Sequence, residues 1–197
     1  MNTDAYVQMA LQLATYRLFG KQVATYEASQ VRFFLHGRTE TTRTVSPDSQ
    51  NFIKRMGRQP EMNASPQACQ DKYSLLKKAM WTHCKYLSSA SKGFGCDRHF
   101  LGLSMLIENG EDSPTLFSNP LFKRSQYWRV SSSTLPHAPP GFGCVVDDGV
   151  GIGYHVDQYS IECILSSREN GLHWTETLGD LIEEALLEVM MLVDTSQ

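Results

Sequence analysis

Thr25-Tyr26-Glu27-Ala28-Ser29-Gln30-Val31-Arg32-Phe33-Phe34-Leu35-His36-Gly37-Arg38-Thr39-Glu40-Thr41-Thr42-Arg43 is the stretch whose reading decides the fold of this chain. Hydrogen-bonding side chains (Tyr26, Glu27, Ser29, Arg38, Thr39, Glu40 and Thr41) surround a single apolar run, Phe33-Phe34-Leu35. After Gly37, a turn signal, threonine alternates with charge. β-Branched threonine is stiff at χ1 and favours extended backbone, so this second half reads as a short strand rather than a helix. Residue chemistry alone leaves two readings open. The strand is either a wall presenting donors to a polar ligand or a half-exposed strand with one solvated face.

Upstream, Thr3 or Asp4 can cap a helix that runs to about Phe19 and stops at Gly20. Its apolar residues form two stripes, Tyr6, Met9, Leu13, Tyr16 and Val7, Leu11, Ala14, Leu18. A helix apolar on most sides is buried on most sides, which for a first element implies a covering segment ahead of it. A short strand from Gln22 to Tyr26 then enters the decisive stretch. Downstream, Ser46-Pro47-Asp48 starts a helix to Met56, and 57–66 is the expected loop. A long helix follows from Gln67 to Ser91, with Tyr73, Leu76, Met80, His83, Cys84 and Leu87 on one face. Gly93-Phe94-Gly95 breaks it. Asp97 is expected to cap a helix to about Glu108, followed by a turn at Asn109-Gly110 and short helical pieces after Ser113-Pro114 and Asn119-Pro120.

From Trp128 the pattern changes to strands: Trp128 to Ser133, then Phe142 to Val146 after a turn over 136–140. Asp148-Gly149 is a two-residue hairpin signal returning through Val150 to Val156. Ser160 to Ser167 is a further strand, and Trp174 to Val193 an amphipathic closing helix with Leu178, Leu181, Ile182, Ala185 and Val189 inward. The expected class is therefore α/β, a layered, mixed but largely antiparallel sheet packed with helices.

A chain of 197 residues with 41% hydrophobic content is long enough for one core, so 1–197 is expected to form a single domain. Net charge is −3, the pI is about 6.1, and there is no lysine- or arginine-rich run. That pattern offers no electrostatic footprint for nucleic acid or an anionic membrane. No apolar stretch approaches the length of a transmembrane segment and Met1 opens no signal-peptide pattern, which points to a water-soluble chain. Cysteines at 69, 84, 96, 144 and 163 are odd in number and lack C-x-x-C spacing, so a reducing compartment fits better than a disulfide framework. Cys96 and His99 have no second pair of ligand type near them in sequence and read as flanks of Arg98 rather than metal ligands. No metal is expected.

Gly149, Gly151 and Gly153 mimic a dinucleotide fingerprint, but they fall inside an expected strand with no helix behind it. Glycines there let a strand bend or another backbone approach. Ser131-Ser132-Ser133 lacks a Gly-x-Ser-x-Gly elbow, so a nucleophilic serine is not indicated.

Tyr26-Glu27-Ala28-Ser29 followed by Gly37-Arg38-Thr39-Glu40-Thr41 resembles the substrate-binding signature of the carnitine/choline acyltransferase family. The likeness continues at Asp97-Arg98-His99, Leu101-Gly102-Leu103, Val130-Ser131-Ser132-Ser133-Thr134 and Gly141-Phe142-Gly143, then at Val145-Val146-Asp147-Asp148-Gly149, in family order and spacing. Gln8-Met9-Ala10-Leu11-Gln12-Leu13-Ala14 is similar as well. The resemblance spans this chain and corresponds to the C-terminal third of a typical member. It implies the chloramphenicol-acetyltransferase-like domain of these enzymes, and reversible acyl transfer between coenzyme A and the hydroxyl of carnitine.

By that resemblance Arg98 opposes the carnitine carboxylate while Tyr26 and Thr39 hydrogen-bond it, and Ser131 lines the same pocket. Phe142 and Val145 correspond to residues packed on the trimethylammonium group, which an aromatic face attracts. Ser133 corresponds to the donor to the oxyanion of the tetrahedral intermediate, and Thr134 to a coenzyme A contact. Ser132 stands where the family carries threonine, and Ala28 where several members carry serine. The choline-using branch typically shows Val-Asp-Asn at Thr39-Glu40-Thr41, so carnitine is expected over choline. Acetyl-specific members carry a bulky Met-Phe pair where Pro140-Gly141 stand here, so a medium or long acyl chain is expected.

None of His36, His83, His99, His137, His155 or His173 sits in the motif of the family's catalytic histidine. The resemblance places that base, and the lysines that grip coenzyme A phosphates, in an N-terminal domain. The expected partners are carnitine, acyl-CoA as co-substrate and that domain, with no permanently bound cofactor. This chain alone is expected to be inactive. The rival expectation is a truncated binding module or pseudoenzyme; choline acetyltransferase is a lesser one. A mitochondrial or a cytoplasmic location is compatible with the sequence.

Overall fold

The computed structural model describes residues 2–61, 65–107, 114–136, 141–168 and 174–195. The first helix, α1 (Thr3–Phe19), starts at Asn2, whose Oδ1 accepts the Ala5 N–H at 2.8 Å. Neither Thr3 nor Asp4 is the cap. Its C-terminus is closed by Gly20 at φ 68°, a left-handed conformation that costs glycine least. All residues from Val7 to Thr15 are buried. That burial is supplied within the chain itself, by α2 (Pro47–Met56), α3 (Pro66–Ser89), α7 (Trp174–Asp194) and the sheet. The all-round apolar helix therefore needs no covering segment from elsewhere.

Local chemistry accounts for the other helices. Ser46 and Ser49 form a reciprocal capping box around Pro47, so α2 begins where the sequence predicts. Ser65 caps α3 through the Ala68 N–H, and α3 passes into a wider turn over Ala90–Phe94 that Gly93 makes possible at φ 81°. Then come α4 (Asp97–Met105), α5 (Thr115–Ser118) and α6 (Pro120–Ser125), the last capped by Asn119. α4 ends at Met105, short of the expected end near 108, with Leu106 as its C-cap. The expected turn at 109–110 and most of the turn over 136–140 lie outside the described residues.

Five strands, β1 (Thr25–Gln30), β2 (Thr39–Arg43), β3 (Val130–Thr134), β4 (Val150–Val156) and β5 (Ile161–Ser167), form one sheet in the order β2-β1-β3-β4-β5. The layered α/β class stands, with a mixed sheet. Its outer pairs, β1 with β2 and β4 with β5, are antiparallel, while β1–β3 and β3–β4 are parallel. The centre is thus less antiparallel than the sequence predicts. The expected strand over Phe142–Val146 does not form, and Asp148-Gly149 does not turn a hairpin. A turn is present, closed by Gly149 N–H to Val146 O at 3.0 Å. The segment before it crosses over β4 instead of pairing beside it. The Phe142 carbonyl accepts the Ser166 hydroxyl, and a Cβ on Gly151 would lie 2.8 Å from that same oxygen. Gly151 is therefore a point of close backbone approach.

One face of the sheet is buried with the helices in a core that joins Val130, Val150, Ile152 and Tyr154 to Met9, Leu13, Leu76, Leu178 and Val189. Among the described residues, no helix is long and apolar enough to cross a membrane.

Candidate active site

Strand alternation sorts neighbours onto opposite faces. Tyr26 pairs with Ser131, Ser131 with Gly151 and Gly151 with Ser166 in one row across β1, β3, β4 and β5. Ser133, Gly153 and Ile164 form the next row on that face. Glu27, Ser132 and Ile152 lie on the other.

The first row leads to the cation. Arg98, in the first turn of α4, sends Nε to the Thr39 carbonyl at 3.1 Å. Its Nη2 lies 3.5 Å from the Tyr26 hydroxyl and 3.5 Å from Thr39 Oγ1. Residues from β1 and β2 thus converge on one exposed guanidinium edge that α4 supplies. Among the described residues, no carboxylate lies within ion-pair distance of Arg98. An uncompensated guanidinium flanked by two hydroxyls is built to receive an anion with planar, two-oxygen geometry.

The supports of this group differ from the expected ones. Asp97 is not a helix cap. Its carboxylate is gripped by Arg43, Nη2 to Oδ1 at 2.6 Å and Nε to Oδ2 at 3.0 Å. The cap comes from β2, where Glu40 Oε1 accepts the Arg98 N–H at 3.2 Å and the Thr41 N–H at 2.7 Å. A carboxylate at a helix N-terminus is stabilised by the helix dipole. Gly95 makes room for it, since a Cβ there would stand 2.3 Å from Glu40 Cγ.

Ser131 is buried beside Tyr26, and Ser133 is half-buried, its hydroxyl reaching the Thr134 carbonyl at 3.3 Å. Thr134 is exposed, but its hydroxyl donates to Asp4 Oδ1 at 2.7 Å. Phe142 is half-buried on the segment crossing β4, Val145 is exposed on the same segment, and no hydrogen bond or ring contact joins either to Tyr26 or Arg98 in this structure. Ala28 pairs with Thr41.

Sequence reasoning does not single out the cluster on the opposite face. His83, on the apolar face of α3, places Nε2 3.3 Å from Glu27 Oε2 and 3.4 Å from Asp4 Oδ2, with its side chain 1% exposed. Tyr154 donates to Asp4 at 2.6 Å, Gln8 donates to Tyr154 at 2.9 Å and to Ser132 at 3.1 Å, and Ser132 donates to the Tyr26 carbonyl at 3.1 Å. Burial opposes the charge on His83, but its bonds to Asp4 and Glu27 prevail and hold its pKa up at about 9. Burial likewise pushes Glu27 up, with His83 pulling against it. For Asp4 the bonds from His83, Tyr154 and Thr134 outweigh burial and hold it below the usual carboxylate range. The donor atoms of Asp4, Glu27 and His83 all lie within 4.8 Å of one another, a spacing compatible with a small cation. Here the histidine proton supplies the positive charge, and a metal would have to displace it. His83 is thereby committed within the network, and His155 Nδ1 lies 2.9 Å from the Leu135 carbonyl.

Residues 1–184 match the family model for choline/carnitine O-acyltransferases. Human carnitine O-acetyltransferase is 34% identical over 200 residues, covering 99% of this chain and 31% of that protein. Bovine peroxisomal carnitine O-octanoyltransferase is 35% identical over 179 residues, 83% of this chain and 27% of that protein. Pig choline O-acetyltransferase is 33% identical over 199 residues, 98% of this chain and 30% of that protein. The chain therefore spans about three tenths of the length of these relatives. With its motifs assembled as described and the family model matched across nearly its whole length, the chain belongs to the choline/carnitine O-acyltransferase family.

Proposed function

We propose that this chain forms the carnitine-facing, C-terminal part of a carnitine O-acyltransferase. The reaction is reversible transfer of an acyl group between the coenzyme A thiol and the carnitine hydroxyl. The observation that carries this reading is the convergence of Tyr26 and Thr39 on the guanidinium edge of Arg98, which has no carboxylate within ion-pair distance among the described residues. Carnitine brings a carboxylate to that edge. Choline, a cation without one, would leave the guanidinium unpaired, which favours carnitine as acceptor.

In this reading Tyr26 and Thr39 donate to the carboxylate and Ser131 lines the pocket. The trimethylammonium group lies toward Phe142 and Val145. Ser133, on the same sheet face as Tyr26, donates to the oxyanion that develops as the hydroxyl attacks the thioester, and Thr134 faces coenzyme A. The general base comes from an N-terminal domain that this chain packs against, as the greater length of the relatives supports. Coenzyme A is a co-substrate, and no step requires a resident cofactor.

Gly141 supports a medium or long acyl chain. A Cβ at that position would come within 3.0 Å of Ile164 Cγ2, so a bulky residue there would fill the space beside the row of Ser133, Gly153 and Ile164. The test is an acceptor and donor profile of the full natural polypeptide. Transfer from octanoyl- or palmitoyl-CoA to carnitine, faster than from acetyl-CoA and with choline inert, is expected. Preference for choline, or no transfer at all, would overturn the proposal.

A further inference from the structure

Tyr26 and Arg98 stand on different elements, β1 and α4, yet one side chain touches the supports of both. Arg43, at the end of β2, pairs directly with Tyr26 in strand register. Its guanidinium holds both oxygens of Asp97, the residue before Arg98, and sends Nη1 to the carbonyl of Ser125, the last residue of α6, at 2.9 Å. The same guanidinium lies 4.6 Å from the centre of the Trp128 ring, and that ring packs on Tyr26 at 5.9 Å between centroids. Asp97 is 5% exposed, and the Arg43 side chain 27% exposed. The planar fork is thus used on its edges by a carboxylate and a carbonyl and on its face by an aromatic ring, a combination lysine does not reproduce.

We propose that Arg43 is a positioning residue for carboxylate recognition: without touching the ligand, it sets the Tyr26 ring through Trp128 and the first turn of α4 through Asp97, so that phenol and guanidinium meet across one anion. The inference rests on the reading that Tyr26, Thr39 and Arg98 bind carnitine. Asp97 neutralises Arg43, whereas Arg98 has no carboxylate within ion-pair distance among the described residues. Glu40 caps α4 at the same time, so two side chains from β2 fix the position of the Arg98 backbone.

Calorimetric titration of the full natural polypeptide with carnitine and, separately, with coenzyme A tests this. Arg43→Lys should weaken carnitine binding about tenfold while coenzyme A binding stays within twofold. Tyr26→Phe should cost less in the Arg43→Lys background than in wild type, because the lysine variant has already displaced the phenol. A purely structural role predicts loss of both ligands together, or equal Tyr26→Phe costs in the two backgrounds, and either result overturns the proposal. Should Arg43→Lys not fold, Trp128→Leu removes the same relay at its other end and is read in the same way. Wild-type protein that binds coenzyme A but not carnitine would overturn the functional reading itself, and this inference with it.

Discussion

Tyr26 and Glu27 are consecutive in sequence and opposite in fate. Tyr26 faces an exposed guanidinium that has no carboxylate in ion-pair range among the described residues. Glu27, 2% exposed, faces His83, Asp4 and Tyr154, a network that sets one histidine between two carboxyl groups of the same chain. Both faces are rich in polar atoms, so polarity does not separate site from scaffold. The difference is closure. On the buried face His83, Tyr154 and Gln8 each reach a partner of the same chain, while Gln8 Oε1 and His83 Nδ1 keep no hydrogen-bond partner among the described residues; on the open face one guanidinium and two hydroxyls face outward, in our proposal toward an anion.

The contrast breaks first at His83. Replacing it with alanine leaves Asp4 and Glu27 buried without their cation, a defect that costs about 3–5 kcal/mol in comparable buried pairs. Urea unfolding should show that loss, while the surviving native fraction keeps its preference for carnitine over choline. Titration sharpens the point. A folded pKa raised to about 9 means that the His83 contribution is complete below its unfolded value near 6.5 and is lost as pH rises through about 9. Stability should therefore decline across that window in wild type and decline less in His83→Gln.

The open face should respond in the opposite manner. Ser133→Ala in the full natural polypeptide is expected to lower kcat by about 10²–10³-fold, the ~3 kcal/mol typical of one oxyanion donor, with no measurable change in urea midpoint. A parallel loss of stability would place Ser133 with the scaffold instead. A smaller effect is expected at Gly141→Phe, which should shift the ratio of octanoyl to acetyl transfer by about 10–100-fold toward acetyl, on the scale of ~1–3 kcal/mol for pocket contacts. An unchanged ratio would remove the acyl chain from the Gly141–Ile164 space.

Much of this division was legible from local signals. Ser46-Pro47, the periodicity of α3 and α7, and the threonine alternation of β2 all describe elements that their own residues determine. Tyr26, Thr39 and Arg98 could be named together because their motifs resemble a family. Their meeting within 3.5 Å is a tertiary fact that spacing does not contain. The failures at the site are non-local. Asp97 looks like a cap, but Arg43, 54 positions earlier, claims its carboxylate and Glu40 does the capping. Phe142 to Val146 has the composition of a strand, yet its backbone crosses over Gly151 rather than joining an edge. Parallel pairing of β1, β3 and β4 leaves no short-range mark comparable to a hairpin turn. His83 did carry a signal, a titratable ring on an apolar helix face, which requires a buried partner. Its partners, Asp4 at a separation of 79 positions and Glu27 on another element, could not be named from spacing.

The most direct measurement is a carnitine titration of wild type and Arg98→Ala, paired with a thermal melt of each. Loss of one charged hydrogen-bonding group from an exposed site predicts affinity lower by about 1.5–3 kcal/mol, tenfold to somewhat above a hundredfold, with melting temperatures that coincide. Equal affinities, or a melt shifted as far as that of the His83 variant, would contradict an open face held ready for a carboxylate.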